Sequence, residues 1–179
     1  MEEQNEVKEL VTTRSAGMRY GLMLAVVGTA WFVIMNVAGM NLQGPAAYAS
    51  YLLYAVFIFL AHKYYKEEGD GFMTIGQGVG IGFWTGLTSS TISCIFTFVY
   101  ISYIDSSFIE KIKQTQMDAM QQQGMSDAQI DQAMSVAGMF MTPVFITIIG
   151  FISGIFACVL VGLILSFFTQ KKNPDPFAG

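Results

Sequence analysis

The chain has 179 residues, of which 53% are hydrophobic and 12% are charged, and its formal net charge at pH 7 is −4. Soluble domains carry about 25% charged residues, so this composition indicates a membrane protein. The acidic balance, without a basic cluster, excludes a nucleic-acid-binding domain. Two cysteines inside apolar stretches form neither a disulfide framework nor a zinc site.

Four apolar stretches are each long enough to cross a bilayer, and they are predicted as spans at residues 17–40, 46–65, 71–104 and 139–169. Residues 1–15 are polar and acidic, unlike a signal peptide, so we expect them to remain as a cytoplasmic N-terminus. The first three spans lie within residues 16–104. A tight turn at Gly44-Pro45 connects spans 1 and 2, so we expect these two spans to be antiparallel neighbours. Residues 170–179 form a cytoplasmic tail.

Residues 105–138, between spans 3 and 4, are too polar to be buried in lipid and are predicted to form a helical hairpin. Ser107–Glu110 and Ser126–Gln129 have the spacing of capping boxes, and Gly124 between them favours a helix end. Apolar side chains recur on one face of each helix, which offers an amphipathic surface to a protein partner. The candidate residues of this partner surface are Ile112, Met117, Met120, Ile130 and Met134.

The distribution of basic residues orients the spans, because cytoplasmic loops are enriched in lysine and arginine. Seven basic residues lie on the side of the termini and of the connection between spans 2 and 3: Lys8, Arg14, Arg19, Lys63, Lys66, Lys171 and Lys172. Only Lys111 and Lys113 lie in the hairpin. The predicted fold is therefore an all-α, four-helix antiparallel membrane bundle with both termini cytoplasmic and an extracytoplasmic hairpin.

Small residues recur every four positions in spans 3 and 4, the spacing of a glycine zipper. They are Gly78, Gly82, Gly86 and Ser90 in span 3, and Gly150, Gly154, Cys158 and Gly162 in span 4. Such stripes let helix backbones approach closely in lipid, so we expect spans 3 and 4 to pack on each other. The alternative is a homo-oligomer, formed through one of these stripes or through the shorter stripe of Gly17, Gly21 and Ala25 in span 1.

Three segments carry a resemblance to a known family. Ala16-Gly17 and Tyr20-Gly21-Leu22 open span 1, Gly71–Gly82 opens span 3, and Gly124–Ile130 lies in the hairpin. With these segments the chain, over about residues 15–170, resembles a bacterial family of four-span integral membrane proteins that is common in Bacteroidetes, the domain of unknown function 4199. The resemblance implies the inner membrane of a Gram-negative cell and a periplasmic hairpin, but no activity and no catalytic residues.

Ionisable side chains inside a membrane usually mark catalysis or proton and ion transport. Arg19, His62 and Lys63 all lie at span ends, so the sequence predicts no catalytic residue, no cofactor, no metal site and no enzymatic activity. The expected function is that of an accessory protein, with the lipid bilayer around it and a protein partner at the hairpin. The alternative is a small channel or carrier for a neutral solute, along the span 3 hydroxyls of Thr85, Thr88 and Ser89.

Overall fold

The computed structural model describes residues 11–39 and 48–174, and within them the chain is helical apart from turns and one antiparallel bridge. Its helices are α1 (Thr13–Val37), α2 (Tyr48–Glu68), α3 (Ile75–Val99), α4 (Phe108–Gln122), α5 (Asp127–Phe140) and α6 (Pro143–Thr169). A π-helical segment, Tyr100–Ile104, continues α3. The all-α prediction is thus confirmed for the described residues.

The chain divides into two compact units. The first unit comprises the residues up to Ser90 and those from Gly154 onward, and the second unit comprises Thr91–Ser153. The long helices α3 and α6 contribute residues to both units.

Side-chain caps fix where the helices of the first unit begin. At α1, the Thr12 hydroxyl accepts a hydrogen bond from the Ser15 amide at 3.0 Å, and the Thr12 amide donates to the Ser15 hydroxyl at 3.0 Å. At α3, the Gln77 amide donates to the Thr74 hydroxyl at 3.2 Å, and the Thr74 amide donates to the Gln77 side chain at 2.7 Å. Helix α3 therefore begins four residues after the predicted start of span 3 at Gly71, whose φ of 82° is left-handed.

The core of the first unit is built between α1 and α2 and extends to α3 and α6. Leu24, Ile58 and Cys158 form one buried cluster, and Ala61, Met73 and Ile81 form a second. Helices α1 and α2 run antiparallel, because Leu24 packs with Ile58 while the rings of Tyr20 and Tyr64 lie 5.7 Å apart.

The second unit contains the helical hairpin, in which α4 packs against α5. Gly124 has a φ of 78°, a left-handed conformation that glycine adopts at little cost, and it ends α4. The Ser126 amide donates to the Gln129 side chain at 2.9 Å, which is half of the predicted capping box of α5. At Ser107 the side chain makes no cap to α4, and the Ser107 amide donates to the Asp105 carboxylate at 3.1 Å just before the helix.

Of the helices that the structure describes, three are long and apolar enough to cross a membrane: α1, α3 with its π-helical continuation, and α6. Large apolar side chains along them are exposed, including Val26, Ile95 and Phe168 at 70%, 64% and 82%. Extended apolar surface of this kind is costly in water and favourable in lipid. These helices suggest a membrane protein.

Some predicted features lie outside the described residues. They are residues 1–10 of the N-terminus, the end of span 1 at Met40, the Gly44-Pro45 turn, the first two residues of span 2 and the tail beyond residue 174.

Candidate functional site

A close helix–helix contact of the first unit joins α3 to α6. A Cβ atom added at Gly82 would lie 2.8 Å from the Cys158 carbonyl oxygen and 3.1 Å from the Gly162 Cα. A Cβ atom added at Gly86 would lie 2.8 Å from the Cys158 Cβ. Optimal carbon contacts are about 3.5–4.0 Å, so the two backbones approach to a distance that only glycine permits.

The α3–α6 contact has a regular antiparallel register, in which Gly78 faces Ser166, Gly82 faces Gly162, Gly86 faces Cys158 and Ser90 faces Gly154. Each step of four residues along α3 is matched by four residues backward along α6. Gly150, the next position in the predicted stripe, is exposed, and no heavy atom of the described residues lies within 4 Å of a Cβ built there. Its inclusion among the packing residues is corrected, because nothing in the described chain is close enough to require glycine.

A second close contact joins α1 to α3. A Cβ atom added at Gly17 would lie 2.5 Å from the Trp84 Cβ and 2.8 Å from the Ile81 carbonyl oxygen. One added at Gly21 would lie 2.8 Å from the Thr85 carbonyl oxygen. The small-residue stripe of span 1, which the sequence offers as an oligomer face, is therefore covered by α3 within the chain.

The hydroxyls considered for a solute path lie in these helix contacts. Thr85 is 0% exposed, and its backbone faces Gly21. Thr88 is half-buried, with its Cβ 2.8 Å from a Cβ built at Gly21. Ser89 is buried and donates to the Gly86 carbonyl at 3.3 Å, a bond back to the preceding turn of its own helix.

The site that sequence reasoning missed is centred on His62, the one histidine of the chain. Its ring is 0% exposed, Nε2 lies 3.0 Å from the Gly78 carbonyl oxygen, and Nδ1 lies 2.9 Å from the Thr169 hydroxyl. Because a carbonyl oxygen only accepts hydrogen bonds, Nε2 carries a proton and donates it to Gly78. One imidazole thus joins α2 to both α3 and α6.

A short C-terminal strap, residues 170–172, follows α6 and is fastened beside this histidine. The Lys171 amide donates to the Met73 carbonyl at 2.9 Å, and the Met73 amide donates to the Lys171 carbonyl at 2.9 Å. The Lys66 ammonium donates to the Thr169 carbonyl at 2.9 Å, and the Lys171 ammonium lies 5.4 Å from the centre of the Phe72 ring. These bonds hold the end of α6 against α2 and the segment before α3.

The local sequence explains why the pattern predicts a span-end position and no functional role for His62. It follows an apolar run and precedes Lys63, which suggests exposure at an interface. The spacing of His62 from Ile58 is the sequence feature that indicates burial. Ile58 lies four residues earlier on the same helix face and is also 0% exposed. The hydrogen-bonding partners of His62 are Gly78 and Thr169, which lie 16 and 107 residues away in sequence. The local sequence pattern could not identify them.

The residues of the proposed partner surface differ in their exposure. Ile130 is 5% exposed and Phe108 is equally buried, so Ile130 is corrected from a partner-facing to a hairpin-core residue. The remaining candidates, Ile112, Met117, Met120 and Met134, are half-buried. The fully exposed positions of both hairpin helices are mainly polar.

The start of α4 is organised by Asp105 of the second unit. Its carboxylate accepts hydrogen bonds from the Lys111 ammonium at 2.8 Å and from the Ser107 amide at 3.1 Å and hydroxyl at 2.5 Å. The Lys111 ammonium, followed by the Ser107 hydroxyl, lowers the pKa of Asp105 below its ordinary value. The carboxylate is thus held in its charged form at the N-terminus of α4, where negative charge is favourable.

Comparison with known proteins gives one result that identifies the chain. No curated protein and no solved structure matches it. A sequence model of the family described as "Protein of unknown function (DUF4199)" matches residues 19–171, which confirms the resemblance carried by the span and hairpin segments. The chain belongs to the DUF4199 family.

Proposed function

We propose that the chain is a four-span protein of the inner membrane, with both termini in the cytoplasm and the α4–α5 hairpin outside it. Helix α2 supplies the fourth span, because it runs antiparallel along α1, one of the three helices long and apolar enough to cross. The Arg19 guanidinium lies 4.6 Å from the centre of the Tyr64 ring, so the basic start of α1 and the basic end of α2 share one end of the helix pair. That end is cytoplasmic by the positive-inside rule.

The exposed residues of the hairpin support a placement in which its base lies at the membrane interface and its tip lies in water. The exposed residues in the first part of α5 include the polar side chains of Asp127, Gln129, Asp131, Gln132 and Ser135. In its last turns they are Val136, Met139 and Phe140, which are apolar. At the other base of the hairpin, Tyr103 and Ile104 are also exposed. An apolar base and a polar tip suit a helix pair rising from the bilayer interface.

The proposed function is that of a non-enzymatic accessory protein whose hairpin tip binds a protein with a basic surface. The observation that carries this proposal is the composition of the exposed tip. Residues 114–135 contain no lysine or arginine, whereas Asp118, Asp127 and Asp131 are all exposed. Because the exposed side chains of this tip are mainly polar, charge complementarity is a means of recognition that the tip offers.

A matched pair of double variants tests the partner proposal in native membranes. Asp118→Asn with Asp131→Asn removes two acidic charges from the tip, and Glu67→Gln with Glu68→Gln removes two exposed charges at the end of α2. After cross-linking and purification, we expect a stoichiometric partner with the wild type and the Glu67/Glu68 variant. The tip variant should retain much less of it, and added salt should weaken capture in the same way.

Equal capture by both double variants, or capture insensitive to salt, would exclude the acidic tip as the binding surface.

The second candidate, a neutral-solute path, receives less support from the geometry, because Thr85 and Ser89 are buried in helix contacts. Liposomes containing the purified protein separate the two functions: solute flux abolished by Thr88→Val would favour transport over the accessory role.

A further inference from the structure

The Thr169 hydroxyl has one hydrogen and two acceptors within reach. Its Oγ1 lies 2.8 Å from the Leu165 carbonyl oxygen and 2.9 Å from His62 Nδ1. When the imidazole is neutral, Nε2–H donates to Gly78 and the Thr169 hydroxyl must donate to Nδ1. When the imidazole is protonated, Nδ1–H donates to Oγ1, and the hydroxyl hydrogen turns to Leu165.

Both protonation states therefore satisfy every hydrogen-bonding group of the pair, and they differ by one hydroxyl rotation and one charge. We propose that His62 and Thr169 form a proton-sensitive latch that holds the end of α6 and the C-terminal strap on α2 and α3. The neutral latch is closed. The charged latch weakens the attachment of the strap, because the added charge lies beside a second cation.

The charges around the ring determine this direction. Lys66, on the same helix, is the charged side chain that acts on His62, and its ammonium is bound to the Thr169 carbonyl. Helix α3 contributes the Gly78 carbonyl and α6 contributes Thr169 and Ser166, and neither helix carries a charged residue. Helix α1, which packs on α2, carries Arg14 and Arg19, whose guanidinium groups lie over the rings of Trp84 and Tyr64. The strap adds Lys171.

Three carboxylates follow Lys66 along the chain, two at the end of α2 and one in the turn after it. Glu67 pairs with Lys63 at 3.7 Å, Glu68 is exposed, and the Asp70 carboxylate accepts from the Phe72 amide at 3.0 Å. An imidazolium at position 62 thus gains a cationic neighbour, and a buried charge without an opposite partner is unfavourable.

Hydrogen exchange of the full chain in detergent tests the latch, with the Lys171 and Met73 amides as the readout because each donates across the strap. After correction for intrinsic exchange rates, we expect wild-type protection of these amides to fall by up to about tenfold between about pH 8 and about pH 5.5. His62→Gln keeps a side-chain donor but does not titrate, so its protection should be the same at both pH values.

The Thr169 variants keep the test decisive if His62→Gln does not fold. Thr169→Ser retains the hydroxyl and should reproduce the wild-type pH response. Thr169→Val leaves the neutral Nδ1 without its donor and should reduce strap protection even at about pH 8. Protection that does not change with pH in the wild type would overturn the proposal, and so would an equal pH response in His62→Gln.

Discussion

At the scale of single residues, the distinction between Gly82 and Gly150 shows what a small-residue stripe does and does not determine. Both belong to series with a spacing of four. A side chain at Gly82 would meet the backbone of α6, whereas one at Gly150 would meet nothing in the described chain. Periodicity selects a helix face, but the local separation of two helices decides which positions of that face must remain glycine.

This contrast gives a matched pair of substitutions. Gly82→Ala should lower the free energy of unfolding by about 1–3 kcal/mol, because the backbone atoms of Cys158 and Gly162 cannot move aside as a flexible side chain would. Gly150→Ala should leave it unchanged or raise it by up to about 1 kcal/mol through better helix propensity. Reversible unfolding in mixed micelles measures both. A change of oligomer size in Gly82→Ala, without loss of stability, would instead assign the stripe to an intermolecular contact.

At the scale of helices, α4 and α5 begin with different side-chain contacts although their sequence patterns are alike. Ser126 and Gln129 interact as their spacing predicts. At α4 the Glu110 carboxylate instead accepts from Lys113 at 2.8 Å, and Asp105, two residues before Ser107, accepts from the Ser107 amide in its place. A capping pattern predicts where a helix begins more reliably than which side chain makes the cap, because nearby charges compete for the same groups.

The contacts of Asp105 should make the stability of the second unit depend on acid. A pKa that is lowered in the folded state adds stability above the pKa of the unfolded chain, and this stability is lost as the pH falls through the folded pKa. We expect Lys111→Met to raise the pKa of Asp105 toward its ordinary value, measured by carboxyl NMR. Asp105→Asn should remove this part of the acid response, observed as exchange of the first α4 amides. An unchanged Asp105 pKa in Lys111→Met would contradict the assignment of its cause.

At the scale of the molecule, composition and span length were sufficient for the all-α class and the membrane character, and the family match agrees with the segments that suggested it. The His62 site could not be predicted, because its contacts join residues far apart in sequence. The burial of Ile130 follows from the pairing of α4 with α5, which fixes how much of each apolar stripe the hairpin covers. Amphipathic patterns identify apolar faces but not what covers them.

The central claim, four spans with the hairpin opposite both termini, is tested most directly by labelling single cysteines with a membrane-impermeant maleimide. The variants are Asn5→Cys, Gln122→Cys and Lys172→Cys, in a background with Cys94→Ala and Cys158→Ala. In sealed right-side-out vesicles only the Gln122 variant should react, and in inside-out vesicles only the other two. Labelling of Asn5→Cys and Gln122→Cys from the same side, with Lys172→Cys from the other, would contradict four spans and indicate three.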